Sequence, residues 1–389
     1  MDKLYIIGMG PGDEALLTGE AKSALEKAQR IHNTREIPLS ELMETLKNPE
    51  NTDTALLVSG DSGFYSVAKT IIKDFSDIYE IEVLPGIGSI PYLSAKLKTT
   101  YDDALLVSLH GRSGNIVPKV AYNKRLFALT GGANTVSVIC SQLSRYGLGG
   151  VSVNVGERLS FPDERIITGR AEELDGMDFD ALSVVFIENP SAANPQIPLS
   201  DSDFMRTDIP MTKEEVRWLS IQKLGINPQD IVYDIGAGTG SVSIEMARKA
   251  YEGFVCAIEA KIEACDLVRA NAAKHGAFNM EIIHGMAPEA IETASYVEWL
   301  RSPDKAFIGG SSGNMDGIIE KLLQLNPDIR IAANAITLQT LNEIITGFEK
   351  HGITNTDIIC VNIAKSKKAG SYDMMMAQNP VYIITGSRN

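Results

Sequence analysis

The amino-acid sequence predicts an α/β protein of two domains, and three observations carry that prediction. Apolar, β-branched runs alternate with helix-period stretches along the whole chain. The runs are nearly continuous rather than alternating, which is the pattern of strands buried on both faces, as in parallel sheets covered by helices. A proline-, serine- and asparagine-rich stretch at 188–210, "ENPSAANPQIPLSDSDFMRTDIP", interrupts the series as a linker or domain boundary does. The 389 residues suit two or three domains at roughly 100–200 residues each. The expected division is 1–199 and 200–389.

In the front half the strand candidates are "LYIIGMG", "TALLVSG", "IEVLPG", "ALLVSLHG", "RLFALTGG", "GVSVNVGE" and "ALSVVFIE". Asp13 is the expected N-cap of the first helix, with Leu16, Leu17, Ala21, Ala24, Leu25, Ala28 and Ile31 at helical spacing. After the break come "DIVYDIG", "GFVCAIEA", "NMEIIHG", "KAFIGG", "IRIAANA", "DIICVNIA" and "PVYIITG".

Composition excludes several classes. Hydrophobic residues are 44% and charged residues 22%, so neither disorder nor a coiled coil is indicated. No apolar run reaches the roughly 18 residues of a membrane helix. The opening "MDKLYIIGMG" lacks a basic leader and a cleavage site, and is read as a first strand rather than a signal peptide. Cys140, Cys256, Cys265 and Cys360 are scattered, and the five histidines show no metal-ligand spacing, so neither a disulfide framework nor a metal site is expected. The reduced cytoplasm fits that cysteine usage. A net charge of −14 argues against a nucleic-acid partner.

The stretch "YDIGAGTG" at 233–240 is the most informative. Gly236, Gly238 and Gly240 follow Asp234, and Glu259 ends the next strand, where an acid can accept hydrogen bonds from ribose hydroxyls. Dinucleotide loops prefer G-x-G-x-x-G around a pyrophosphate. Here Ser241 replaces the third glycine, and an anionic Asp234 suits a cationic ligand better than a phosphate. S-adenosylmethionine (SAM), which carries a sulfonium and an ammonium, is the favoured cofactor. A nicotinamide cofactor and a purely structural turn are the alternatives.

Further motifs sharpen this. With "DIPMTKEEVR" (208–217), "APEA" (287–290), "FIGGSSGN" (307–314) and "ANAITLQT" (333–340), residues 200–389 resemble the decarboxylating carbon-15 methyltransferases of cobalamin biosynthesis. The resemblance implies a Rossmann-like class I SAM methyltransferase with a seven-stranded sheet. It implies SAM contacts at Thr212, Asp234, Gly236, Ala237, Gly238, Thr239, Gly240, Glu259 and Ala287. His284, Gly285 and Met286 stand where an acid that bonds the adenine amino group is expected, so that contact is expected to fall to backbone groups.

In the front half, "IIGMGPGD" (6–13) places Pro11 in a glycine loop, which removes a donor and excludes a dinucleotide site. With "VSGDSGFYS" (58–66), "PGIGSIPYLSAKL" (85–97), "DDALLVSLHGR" (102–112) and "LTGGANT" (129–135), residues 1–195 resemble the tetrapyrrole methylase superfamily, the class III SAM enzymes. That implies two α/β subdomains around a cleft lined by Pro11, Gly60, Asp61, Ser62, Gly88, Ser89 and Thr130. Ser62 replaces a proline usual in the family, so a looser loop is expected. "GDSG" (60–63) also matches a serine-protease motif, but Phe64 and the parallel α/β context argue against it.

The whole chain thus resembles the bifunctional precorrin-6Y methyltransferases, which act at carbons 5 and 15 with loss of carbon dioxide. The resemblance implies one SAM site per domain, a corrinoid tetrapyrrole substrate, no nucleic acid or membrane, and a homo-oligomer, a tetramer being one form considered. A fusion with one active domain and one regulatory or scaffold SAM-binding module is the alternative. Methyl transfer from a sulfonium needs positioning more than acid–base chemistry, and no catalytic residue is assigned. His284 is a candidate proton donor by position, against a structural histidine. A polycarboxylate substrate requires local cations against the global charge. The candidates are Lys365, Lys367 and Lys368 with Lys213 and Arg217, and His110, Arg112, Lys124 and Arg125 in the front half. Gly309, Gly310, Ser311, Ser312 and Asn334 on strand-end loops are further substrate candidates.

Overall fold

The structure is a computed structural model that describes residues 2–109 and 115–388. The chain forms two compact units. One holds the residues up to Pro190 apart from Asn115–Asn123 and Arg145–Leu148, which group with the chain from Ser191 onward.

The front unit begins β1 (Lys3–Gly8), α1 (Gly19–Lys27), β2 (Arg30–Asn33), α2 (Leu39–Leu46), β3 (Thr54–Val58), α3 (Ala68–Phe75), β4 (Glu80–Leu84) and α4 (Ser89–Leu97). These strands make an all-parallel sheet of order β2-β3-β1-β4. Right-handed crossovers running to opposite edges put α1 on one face and α2 and α3 on the other. Two cores follow: Tyr5 and Ile7 pack with Ala21 and Ala24, whereas Leu4 and Ile6 pack with Leu42, Ile71 and Phe75. Chain connections leave β1 and β3 in opposite directions, so the crevice at their C-terminal ends is where such a sheet binds ligands.

The chain continues β5 (Leu105–Ser108), α5 (Ile116–Ala121), β6 (Arg125–Leu129), α6 (Val136–Arg145), β7 (Ser152–Glu157), β8 (Arg165–Arg170), α7 (Ala171–Leu174) and β9 (Ser183–Glu188). Here the expectation of parallel strands fails. In the sheet β5-β6-β9-β7-β8 only β5 and β6 are parallel. A continuous apolar run reports burial of both faces, as in β9 with Phe186 against Phe127 and Leu93, and is silent on strand direction. The first helix is also corrected. Asp13 caps a single turn at Glu14–Leu16, α1 starts after the cap Thr18, and Ile31 lies in β2.

The second unit contains α8 (Glu214–Leu224), β10 (Ile231–Ile235), α9 (Ser241–Lys249), β11 (Phe254–Glu259), α10 (Ile262–His275), β12 (Met280–His284), α11 (Glu289–Ser295), β13 (Lys305–Ile308), α12 (Met315–Leu325), β14 (Arg330–Ala335), α13 (Leu338–Lys350), β15 (Asn355–Val361), β16 (Ala364–Ala369), β17 (Tyr372–Ala377) and β18 (Val381–Ser387). Its seven-stranded sheet has the order β12-β11-β10-β13-β14-β18-β15, with β18 antiparallel to both neighbours. The strand order reverses between β10 and β13, which places the ligand crevice at their C-terminal ends. β16 and β17 form a separate exposed hairpin.

The stretch 188–210 is not a free linker. Leu199 and Phe204 are buried. Leu199 N donates to Glu245 Oε1 at 2.8 Å, and Leu199 O accepts from Arg217 Nη2 at 2.8 Å. Arg248 Nη2 donates to Asn194 O and Ile197 O at 2.6 and 2.5 Å. Composition marks low propensity for helix or strand, and such a segment can still be tied down by side chains. Among the described residues no helix is long and apolar enough to cross a membrane.

Asn279 is a fully buried amide of the second unit that ties several segments together. Its Nδ2 lies within 3.2 Å of the carbonyls of Ala247, Ala250 and Gly253, and its Oδ1 accepts from Tyr122 Oη at 2.8 Å. Asn279→Ala leaves the buried Tyr122 hydroxyl without its acceptor and removes a donor from the carbonyls of Ala247 and Gly253, while Ala250 O keeps the amide of Gly253, and is expected to destabilise the unit by roughly 2–4 kcal/mol. Denaturant unfolding followed by tryptophan fluorescence checks this, because both tryptophans, Trp218 and Trp299, belong to that unit.

Candidate functional site

In the second unit the site is built at the end of β10. Gly236 has φ +77°, and a Cβ there would sit 3.0 Å from the backbone of Gly310. Only glycine takes that angle at no cost while letting two loops touch backbone to backbone. Gly236 N and Ala237 N donate to Ile258 O at 2.9 and 3.1 Å, which locks the turn to the end of β11.

Two acids face this turn. Asp234 is 1% exposed; its Oδ2 accepts from the Ser243 hydroxyl, and its Oδ1 is buried with no hydrogen-bond partner. Burial, reinforced by the nearby Glu259 carboxylate and opposed by Ser243, pushes its pKa up to about 7. Glu259 Oε2 accepts from Gly238 N at 2.8 Å and Oε1 from Lys261 N at 2.9 Å. Thr239 Oγ1 is also buried and unpartnered. Buried polar groups without partners are uncommon and call for an explanation.

These groups border one cavity of about 710 Å³, within the range that holds a small-molecule cofactor. Of the expected cofactor residues, Thr212, Asp234, Gly236, Ala237, Gly238, Thr239, Glu259 and Ala287 line it. Gly240 does not; it opens α9 and packs on Val268. The substrate candidates Gly309, Gly310, Ser311, Ser312 and Asn334 line it too. Asn334 Oδ1 accepts from Ser220 Oγ at 3.1 Å, while its Nδ2 is buried without a partner. Sequence reasoning missed Lys261, Phe307, Ile336, Ile363, Gln378 and Asn379. The last three flank or follow the β16–β17 hairpin, whose polar strands carry no apolar signal.

His284 lies outside the cavity lining; its exposed ring contacts Ala260 O at 3.1 Å, and Gly285, Met286 and Ala287 form that wall instead. The basic candidates divide. Lys213 lines the cavity. Arg217 is not in the lining: it is fully buried, and its Nη atoms donate to Asp201, Thr212 O and Leu199 O, which supply the acceptors a buried cation needs. Lys365 is paired with Glu214 and Glu215 at 2.7 and 2.6 Å. Lys367 and Lys368 stand on the exposed hairpin, outside the lining.

In the front unit the loops after β1, β3 and β4 converge. Gly10 and Gly60 exchange backbone hydrogen bonds at 3.1 and 2.9 Å. A Cβ on Gly86 would meet Gly8 O at 2.4 Å and Gly60 O at 2.6 Å. Pro11, Gly60, Asp61, Gly88 and Ser89 gather at this end, with Gly88 close to the Asp61 side chain. Ser62 is buried and donates to Leu84 O at 3.0 Å, so the loop is tied where a looser one was expected. Thr130 sits on the second sheet, buried, and donates to Ser183 O at 2.6 Å. Arg125 is occupied by Asp103, Thr99 and Thr100. Lys124 immediately precedes β6. His110 and Arg112 lie outside the described residues.

Asp234 makes stability depend on pH. Its folded pKa is raised above the ordinary value of 3.8, so the folded state binds the proton more tightly and stability falls as pH rises from about 4 to about 7. The full cost is up to about 4 kcal/mol, at 1.36 kcal/mol per unit. Asp234→Asn is expected to flatten this slope and raise the thermal midpoint above pH 7. Scanning calorimetry of both proteins at pH 5 and pH 8 checks it; equal slopes would count against a protonated Asp234.

Comparison with known proteins places both halves of the sequence among methyltransferases. A family model described as "Precorrin methyltransferase domain" matches residues 203–388, and one described as "Tetrapyrrole (Corrin/Porphyrin) Methylases" matches 41–175. A protein of Saccharolobus solfataricus named "Probable cobalt-precorrin-6B C(15)-methyltransferase (decarboxylating)" is 39% identical over 198 residues, 50% of this chain and 96% of the relative. One of the same name from Methanocaldococcus jannaschii is 37% identical over 191 residues, 49% and 98% of the two chains. A solved structure titled precorrin-6y C5,15-methyltransferase, from Geobacter metallireducens, is 36% identical, with a TM-score of 0.45 over 50% of this chain and 97% of that one. Through its second unit the chain belongs to the decarboxylating cobalt-precorrin-6B C(15)-methyltransferase family, and a tetrapyrrole methylase domain precedes that unit.

Proposed function

We propose that the chain is a two-site SAM-dependent methyltransferase of cobalamin biosynthesis. Its substrate is precorrin-6B/6Y or the cobalt form. The front part, 1–199, methylates carbon 5; the second part, 200–389, methylates carbon 15 and decarboxylates the ring C acetate. The same reading gives one SAM site in each part and a cytoplasmic homo-oligomer. One observation carries it: the second unit's cavity combines a glycine cradle with two carboxylates and an orphaned buried oxygen, Asp234 Oδ1.

That donor set fits SAM. Asp234 and Glu259 repel a pyrophosphate and attract a cation. Asp234 Oδ1 supplies the acceptor for an ammonium, and the remaining lone pairs of Glu259 supply acceptors for a ribose diol. The close approach of Gly236 to Gly310 opens space that a side chain would fill. When bound, SAM supplies an activated methyl on a sulfonium. The chain's own contribution is positioning and exclusion of water. Ile258, Phe307 and Ala287 make an apolar wall. Ser311, Ser312 and Asn334 offer hydrogen bonds to substrate from the opposite strand ends. Among the described residues the cavity wall holds no imidazole, thiol or phenol, and its ionisable groups are Lys213, Asp234, Glu259 and Lys261. Lys213, which lines the cavity and is in no ion pair among the described residues, is the group we assign to a substrate carboxylate.

Incubating the full chain with precorrin-6B, with and without cobalt, and SAM should add two methyls and remove one carbon dioxide, read by mass spectrometry. Gly236→Val forces a strained angle and a backbone clash worth roughly 3 kcal/mol. It is expected to cut carbon-15 methylation and decarboxylation about 100-fold, leaving one added methyl. No mass change with the wild-type chain would refute the substrate. Lys213→Ala should raise the substrate KM several-fold at low salt and leave SAM affinity unchanged. Lys367→Ala with Lys368→Ala should have a smaller effect, since neither lines the cavity; a larger one would transfer the carboxylate contact to the hairpin.

A further inference from the structure

The front unit holds a cation that no part of the proposed mechanism uses. Arg35 follows β2, and its loop is fixed: Arg35 N donates to Asn33 Oδ1 at 3.0 Å, and Thr34 N to Leu57 O at 3.0 Å. The guanidinium is fixed as well. Nε donates to Ser59 Oγ at 3.1 Å and Nη2 to Pro11 O at 2.9 Å, and the group lies 5.6 Å from the Phe161 ring centroid. It therefore joins the loops that follow β1, β2 and β3, at the end where this sheet binds ligands. Every one of these partners is neutral. Crowding alone lowers the Arg35 pKa from its usual value, and no neighbouring charge contributes.

An arginine side chain carries about 2 kcal/mol of rotamer entropy, and surface arginines are usually held, when held at all, by a carboxylate. Here the side chain is pinned by neutral groups, and the residue remains exposed. Its neighbour Thr34 and its hydrogen-bond partner Ser59 line a cavity of about 200 Å³, to which Tyr65 and Ser66 bring further hydroxyls and Ile37 and Val67 bring apolar surface. That volume is below the roughly 300 Å³ at which cofactor sites begin, and suits a short carboxyalkyl arm. Tyr65 has φ +48°, a left-handed angle that is strained for a tyrosine and concentrates at ligand sites.

We propose that Arg35 and this cavity form a carboxylate subsite of the front unit, with Arg35 the counter-cation of an acidic arm of the ligand. The inference rests on the proposed carbon-5 activity. Two sources share the chemistry: the acetate or propionate arms of the tetrapyrrole, and the methionine carboxylate of SAM.

The test uses the full chain with precorrin-6B and SAM, comparing wild type, Arg35→Gln and Arg35→Lys. Arg35→Gln should raise the substrate KM for carbon-5 methylation at least tenfold with kcat kept, and Arg35→Lys should restore most of it. A rise in the SAM KM instead would identify SAM as the carboxylate's source. Unchanged KM values, or equal losses in kcat and both KM values with a lower thermal midpoint, would overturn the subsite and leave Arg35 a structural cross-link. Carbon-15 methylation in the same reaction reports that the chain is folded. If the wild-type chain adds no carbon-5 methyl, the underlying activity fails. Calorimetry of precorrin-6B binding to wild type and Arg35→Gln then still decides the subsite, because equal heats and affinities would refute it.

Discussion

At the C-terminal ends of both parallel strand sets, the fold depends on backbone touching backbone. In the front unit Gly8, Gly60 and Gly86 come so close that no Cβ fits between Gly86 and its two neighbours. In the second, Gly236 meets Gly310 across the point where the strand order reverses. Strand ends normally project side chains into the crevice between them. Removing those side chains leaves amides and carbonyls as the lining and makes room for a ligand, at the cost of glycine's conformational freedom in the unfolded chain.

The second constraint is electrostatic. For a protein of net charge −14, binding the polycarboxylate proposed as its substrate requires cations arranged locally. Most of its candidate cations are already committed. Arg217 and Arg248 hold the 194–212 strap, Lys365 is neutralised by two glutamates, and Arg125 ties down a loop. Among the described residues, Lys213 and Lys261 line the second cavity outside any ion pair, and Arg35 stands at the strand ends of the front sheet. The negative interior of the second cavity is set by Asp234, whose burial makes ionisation costly until a cation arrives.

Much of this was legible in the sequence, because apolar runs and glycine turns are local signals. All fourteen strand candidates are strands, and the motif around Asp234 led to the cavity. The failures came from non-local causes. Strand direction in the sheet of β5–β9 depends on which neighbour a strand finds. β2 and β8 are short or polar, and the strands β16 and β17, "AKSKKA" and "YDMMMA", are almost wholly exposed, so no buried periodicity marks them. Arg217 and Lys213 look alike in sequence four residues apart, yet only the helix that joins them decides that one points into the protein and the other to the cavity. Ser62 reads as a loose substitute for proline and proves to be a tether through one hydroxyl.

The strap bears on how the chain can be divided. By composition the natural cut is near residue 200. A second half excised there would lose the carbonyls of Asn194, Ile197 and Leu199, leaving two buried guanidiniums short of acceptors and Glu245 Oε1 without the amide of Leu199. The continuous part of the second unit starts at Ser191, and Asn115–Asn123 and Arg145–Leu148 join it from earlier in the chain. From Ser191 the proline-rich stretch is therefore an arm of the second unit, and a cut near residue 200 would sever the acceptors that hold it.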